Sequence, residues 1–252
     1  MDISNDRHGV AHDRPCAPGH KLLPHSKMRR AVADRVSESK SSIPHFYQTV
    51  DVEMDSLASL RERTGKQEEK SRKPSLTAFI IKACGVALSE FPSINSSYTD
   101  KELLLHDQVN VGCVVALEEG ILIPVIRDAD TKPIFAIDEE LTDLVSRAKQ
   151  RRLLPDAYSG GTFTVSNLGM IGIRTFAAII SPPESAILAV GTIRKELRLK
   201  DSELSESRVM SLTLSCDHRS VDGITAAKFL VKVKNILEKP DRIETSEVTR
   251  SI

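Results

Sequence analysis

The 252-residue sequence has no tryptophan, and its aromatic residues make up only 4% of the chain. So few rings disfavour stacking platforms for bases or sugars. Net charge is also missing, because 35 Lys and Arg balance 35 Asp and Glu. No electrostatic footprint therefore points to nucleic acid or an anionic membrane. The four cysteines, Cys16, Cys84, Cys113 and Cys216, lie far apart without a CxxC pair. That pattern signals neither a zinc knuckle nor a disulfide scaffold, and it fits a reducing cytoplasm. No apolar run reaches the ~20 residues needed to cross a bilayer. The acidic N-terminus lacks the apolar stretch of a signal peptide. Motifs that cradle phosphate (GxGxxG, GK[ST]) or bind metal (HExxH) are absent as well.

What remains is the balance of a globular protein, 40% hydrophobic and 28% charged, enough to bury one sizeable core. Residues 1–22 carry Pro, Gly and three histidines (His8, His12, His20) without periodicity and read as a loose arm. Ser26 is placed to cap a helix with Met28, Val32 and Val36 on one face and Arg29, Arg30 and Arg35 exposed. A strand follows Pro44. Asp55 is expected to cap a short helix ended by Gly65, and Ser75 starts a long helix that is apolar nearly all round and packs Cys84. Two strands flank Thr99–Lys101. Residues 109–126 read as one long hairpin in which Pro124 suits an edge or bulge. Residues 134–154 form an amphipathic helix stopped by Pro155. Residues 159–173 form a strand that leaves through Gly169 and Gly172, a candidate wall of a site. Two further strands flank Pro182-Pro183. Elements alternate without a long linker, as in one α/β domain.

Residues 212–230, LTLSCDHRSVDGITAAKFL, hold the main chemical signal. An alternating strand gives way to a polar turn with His218, and Asp222-Gly223 opens an amphipathic helix. An imidazole at a strand-to-helix junction sits where α/β folds place their sites. The residues alone leave three readings open: a structural histidine, a metal site shared with Asp222 and Cys216, or a nucleophilic Cys216 served by His218.

The run HRSVDG at 218–223 resembles the HxxxDG signature of the catalytic domain of 2-oxo acid dehydrogenase acyltransferases (E2), relatives of chloramphenicol acetyltransferase. MRRAVADRVSESKSSIPHFY, VNVG with GILIPVIRDAD, GGTFTVSNLG and PPESAILAVG extend the resemblance over roughly residues 22–243. It implies a two-layer α/β sandwich, with a mixed sheet covered by helices. His218 becomes the general base, Ser166 the donor to the tetrahedral oxyanion, and Asp222 the residue holding the loop or the imidazole. Arg35 is its implied ion-pair partner, Gly223 supports the turn, and Asn167 and Gly169 are implied in acyl-CoA binding. The implied co-substrate is acetyl-CoA, with no metal. Homotrimers with His218 and Ser166 from different chains are implied too.

Family E2 chains carry lipoyl domains ahead of this one and end in a short apolar segment. Here about 22 residues precede the resemblance and residues 244–252 are polar. The expected organisation is therefore an arm (1–22), a catalytic domain (23–243) and a polar tail (244–252), with no lipoyl group on this chain. It is expected to be a cytoplasmic isolated trimer. The leading expectation is a stand-alone enzyme acetylating a hydroxyl of a small-molecule or carrier-protein-bound intermediate of tetronate or polyketide type, as in antibiotic biosynthesis. The alternatives are an E2 catalytic core and a non-catalytic scaffold.

Overall fold

The computed structural model describes residues 22–67, 73–118, 120–200, 203–240 and 243. The arm with its three histidines and Cys16, apart from Leu22, and the polar tail lie outside the described residues. In chain order the elements are α1 (Lys27–Ser42), β1 (His45–Glu53), α2 (Asp55–Gln67), α3 (Leu76–Leu88), β2 (Ser96–Tyr98), β3 (Leu103–Leu105) and β4 (Val111–Cys113). They continue as β5 (Val115–Leu117), β6 (Gly120–Leu122), β7 (Val125–Ile126), α4 (Ile134–Lys149), β8 (Phe163–Asn167), β9 (Ala186–Lys200), β10 (Glu203–Asp217) and α5 (Gly223–Glu238). Six strands form one sheet in the order β1-β10-β9-β8-β4-β7. Strand β8 runs parallel to β4 and β9, and the remaining pairs are antiparallel. This is the mixed sheet covered by helices that the resemblance implies. No helix among the described residues is long and apolar enough to cross a membrane.

Alternation along the strands divides the sheet into two unlike faces. Phe163 and Val165 of β8, Leu188 and Val190 of β9, and Leu212, Leu214 and Cys216 of β10 all enter the main core. Helix α3, buried along most of its length, lies in that core, and α5 sends Phe229 edge-on to Phe163 and Phe91. Each such aromatic contributes about 2–3 kcal/mol by leaving water. The residues between them, Thr164, Ser166, Ser211, Thr213 and Ser215, are buried polar groups on the opposite face. Most of these hydroxyls are partnered there. Thr213 meets Thr49 at 2.9 Å, Ser211 donates to Asp51 at 2.6 Å, and Ser215 donates to the Ala178 carbonyl at 2.7 Å. Ala178 belongs to an irregular segment, residues 173–181, which crosses this face. Ile180 of the segment packs with Ile43 and Ile187 in a second, smaller cluster. Helix α1 is tied to it where Ser39 donates to the Ile180 carbonyl at 2.6 Å.

Several local expectations meet a different outcome. Helix α2 runs through Gly65 to Gln67, and Asp55 is its first residue. The Asp55 carboxylate instead receives the backbone N–H of Arg208 on β10, so tertiary pairing overrides the cap. The long hairpin splits: β5 and β6 form their own two-stranded sheet, while β7 rejoins the main sheet beside β4. Pro124 sits at that break, its carbonyl accepting from Cys113 at 2.9 Å, which suits a residue without an N–H. Helix α4 ends at Lys149 rather than at Pro155, since Arg151 turns to φ 57 and Pro155 opens a separate 3-10 turn. Residues 179–181 belong to the irregular segment, and the strand begins only at Ala186.

The loop after β8 lies flat against β9 because both partners lack side chains where they touch. A Cβ on Gly191 would stand 2.0 Å from the Arg174 carbonyl oxygen, and one on Gly169 would stand 2.7 Å from the Gly191 carbonyl oxygen. Gly191→Ala therefore forces backbone apart in a packed region. It is expected to lower stability by about 3 kcal/mol, read as a reduced midpoint in urea unfolding with an unchanged slope.

Candidate active site

Strand β10 carries the chain to Asp217, and the turn that follows presents His218. The His218 backbone N–H donates to the Pro44 carbonyl at 3.1 Å, fixing the turn to the entrance of β1. Asp217, 2% exposed, accepts from the guanidinium of Arg219 at 2.7 and 3.0 Å and from the Arg219 amide at 2.9 Å. Arg219 also lies over the Tyr98 ring, 4.2 Å from its centroid. The turn is thus clamped on both sides of the imidazole. The imidazole itself is exposed and lies against Phe46 at a tilt of 47°, with ring centroids 4.6 Å apart. Among the described residues neither ring nitrogen has a hydrogen-bond partner, so both remain available to a ligand or to another chain.

Asp222 is the N-cap of α5. Its carboxylate accepts from the Ile224 and Thr225 amides at 2.8 and 2.9 Å and from the Thr225 hydroxyl at 2.7 Å. The Thr225 hydroxyl and these amides hold its carboxyl below the usual carboxylate range. The stability this cap adds is present above the ordinary carboxylate pKa and is lost as pH falls through the depressed one. Gly223 follows as the first helical residue, and its carbonyl accepts from Gln48 of β1 at 2.8 Å.

Ser166 lies elsewhere. It is 9% exposed, on the polar face of β8, and lines a cavity of about 770 Å³ between α1, the β5–β6 hairpin and the 173–184 segment. The lining is mostly aliphatic, with Val32, Val36, Ile123 and Ile187, and its polar groups include Arg35, Ser181 and Glu184. His218 does not line it. One chain therefore displays an exposed imidazole and a sheltered hydroxyl on separate surfaces.

The expected ion pair between Arg35 and Asp222 does not form. Arg35 donates to the Pro182 carbonyl and faces Glu184 electrostatically, while Asp222 is occupied by its own helix. The metal reading fails on the same geometry, because the Asp222 carboxylate caps a helix and the Cys216 thiol points into the core. A nucleophilic Cys216 is likewise excluded: burial pushes its thiol up to about 12, far from a thiolate at neutral pH. Asn167 holds the loop after β8 through two contacts, donating to Thr77 at 3.1 Å and accepting from the Gly169 amide at 2.9 Å. Glu184, buried against the Thr164 hydroxyl in the Ser166 cavity, escaped the sequence reading. It follows two prolines in what reads as a turn, and nothing in the local pattern marks it as buried.

The family described as 2-oxoacid dehydrogenases acyltransferase (catalytic domain) matches residues 17–244. A relative from Rhizobium meliloti (strain 1021), the dihydrolipoyllysine-residue acetyltransferase component of its pyruvate dehydrogenase complex, is 42% identical over 229 residues. That match covers 88% of this chain and 51% of the relative, so the chain spans about half the length of the curated relatives it matches. The crystal structure of the dihydrolipoamide acetyltransferase (E2p) of Azotobacter vinelandii comes from a study of a serine, a histidine and an asparagine in its catalytic mechanism. It is 28% identical, with TM-score 0.85, covering 91% of this chain and 99% of that one. There the serine precedes the histidine by 52 residues and the asparagine follows it by four. Ser166, His218 and Asp222 have the same spacing. Chloramphenicol acetyltransferase, at 15% identity and TM-score 0.53 over 81% of this chain and 94% of that one, shares the fold.

These similarities overturn the expectation of a biosynthetic O-acetyltransferase. The Rhizobium relative is named for acetyl transfer to a dihydrolipoyllysine residue, not to a polyketide hydroxyl. The sequence motifs could not separate the two readings, because one base and one oxyanion donor serve S- and O-acylation alike.

Proposed function

The chain belongs to the family of 2-oxoacid dehydrogenase acyltransferase catalytic domains, and on that premise we propose that it exchanges an acetyl group between a dihydrolipoyl thiol and coenzyme A. His218 removes the proton from the attacking thiol. The thiolate adds to the thioester carbonyl, and the Ser166 hydroxyl donates to the oxyanion that develops there. Collapse breaks the old carbon–sulfur bond, and the leaving thiolate takes the proton back from the imidazolium. The observation that carries this reading is the pair of free catalytic groups, an imidazole and a hydroxyl with no partner among the described residues, spaced in sequence as in the Azotobacter enzyme. Incubating the protein with acetyl-CoA and dihydrolipoamide, and following S-acetyl-dihydrolipoamide by mass spectrometry, tests it. No product above a buffer blank removes the proposal.

The separation of the two groups supports a site completed between chains, with His218 of one subunit facing the Ser166 cavity of the next, as in a homotrimer. Within that site Asn167 and Gly169 shape the wall of the acyl-CoA channel by fixing the loop after β8. Residues 23–243 are the proposed catalytic unit.

Asp222 is proposed to act as a positioning residue that holds the turn through α5. Asparagine, found at this spacing in the Azotobacter enzyme, caps helices as well as aspartate does. Asp222→Asn is therefore expected to keep kcat within about threefold. A tenfold or larger loss in stopped assays at pH 7 would show that the carboxylate charge itself is required.

A further inference from the structure

The turn that carries His218 is held from one side by a strand remote in sequence. Asp217 turns both carboxylate oxygens to Arg219, which donates through Nε at 3.0 and 3.1 Å and through Nη2 at 2.7 Å. The Asp217 side chain is 2% exposed and that of Arg219 33%, so the pair reaches from the interior to the surface. There the guanidinium lies over the ring of Tyr98, 4.2 Å from its centroid. Tyr98 is the last residue of β2 and pairs with Leu103 of β3.

Strand β2 is tied to the same turn a second time. The Ser96 hydroxyl lies 3.0 Å from the hydroxyl of Ser185, and the Ser185 carbonyl accepts from the Asp217 amide at 2.9 Å. The contacts therefore close a circuit that leaves Asp217 through its amide and returns through its carboxylate, by way of Ser185, Ser96, Tyr98 and Arg219. The imidazole stands outside the circuit, against Phe46, and projects from the backbone that the circuit fixes. A guanidinium suits both of its neighbours at once, because its edge offers forked N–H donors to a carboxylate while its flat face rests on an aromatic ring. An ammonium has neither the fork nor the face. A misplacement of about 1 Å can cost a reaction on the order of a hundredfold in rate.

We propose that Tyr98 and Arg219 are positioning residues for His218: the ring holds the guanidinium, the guanidinium holds the turn through Asp217, and the turn aims the imidazole. The inference rests on the acetyl-transfer reading above. It makes the short β2–β3 ribbon part of the device that places the base, although more than a hundred residues separate the two in sequence.

The test compares the native protein with Tyr98→Leu, Tyr98→Phe and Arg219→Lys. Initial rates are taken with acetyl-CoA and dihydrolipoamide. The histidine ring C–H resonances are recorded by NMR at about pH 8.5, where histidine is ordinarily neutral, and that of His218 is identified by its absence in His218→Ala. Tyr98→Leu is expected to lower kcat roughly three- to tenfold with KM near native, since the contact acts through the base and not on substrate. Tyr98→Phe keeps the ring face and should stay within about twofold of native. Arg219→Lys, which loses the fork, should lose about tenfold or more. The Phe46 ring current displaces the His218 resonance, which should therefore move in Tyr98→Leu and stay in Tyr98→Phe. Native kcat in Tyr98→Leu, a rise in KM alone, an unmoved resonance, or a phenylalanine variant as impaired as the leucine one would each overturn the assignment. If Arg219→Lys fails to fold by circular dichroism, the two Tyr98 variants still decide the matter. The resonance is read without turnover, so a native protein that transfers no acetyl group while the shift follows the ring counts against the proposed function and leaves the positioning role standing.

Discussion

His218→Ala is expected to lower kcat for acetyl transfer by about a thousandfold, within the range that positioned general bases supply. The imidazole is exposed and lies tilted against the Phe46 ring, and the residue is held by a bond from its backbone N–H to the Pro44 carbonyl. Alanine keeps that backbone bond. The clamp formed by Asp217 and Arg219 stays in place, and unfolding stability should change by less than about 1 kcal/mol, as for other exposed positions. Affinity for CoA should barely move, because the proton is taken only as the reaction proceeds. Initial rates together with thermal unfolding separate these effects. Activity within tenfold of native would eliminate His218 as the base.

Ser166→Ala is expected to reduce kcat by about a hundredfold or somewhat more, the usual cost of one oxyanion donor. The hydroxyl has no partner among the described residues, so removing it leaves no orphaned group, and KM should stay near native. A proportional rise in KM with kcat unchanged would instead mark Ser166 as a ground-state contact. The two variants also test the proposed assembly in one experiment. If each site joins His218 of one chain to Ser166 of another, unfolding and refolding the two inactive proteins together gives mixed trimers, each with one intact site. Recovery of roughly a quarter of the native rate is expected from random mixing in a closed ring. A site built within one chain would recover nothing.

Much of this was legible in the sequence, and the part that was not has a common cause. Alternation in VMSLTLSCD marked the strand that leads to His218, and Ser26, Ser75 and Asp222 cap helices as their residue types suggest. These are local rules read over a few residues. The failures are tertiary. Asp55 is taken by β10, the hairpin arms separate to join different sheets, and Arg35 turns to Pro182 and Glu184 instead of Asp222. Glu184 was invisible for the same reason, since its burial is made by α1, β8 and Gly161, none adjacent in the chain.

Strand β8 has one further consequence, for variation. Its odd positions, Phe163 and Val165, belong to the core, and its even positions lie on the other face, Ser166 lining the cavity and Thr164 buried against Glu184. Parity therefore separates what a substitution can alter. A change at Ser166 alters the chamber's chemistry with little effect on the melting temperature, a change at Thr164 also unpairs the buried Glu184 carboxyl, and changes at odd positions alter the melting temperature and leave the chamber's chemistry in place. A single inserted residue in β8 would exchange the two roles at once.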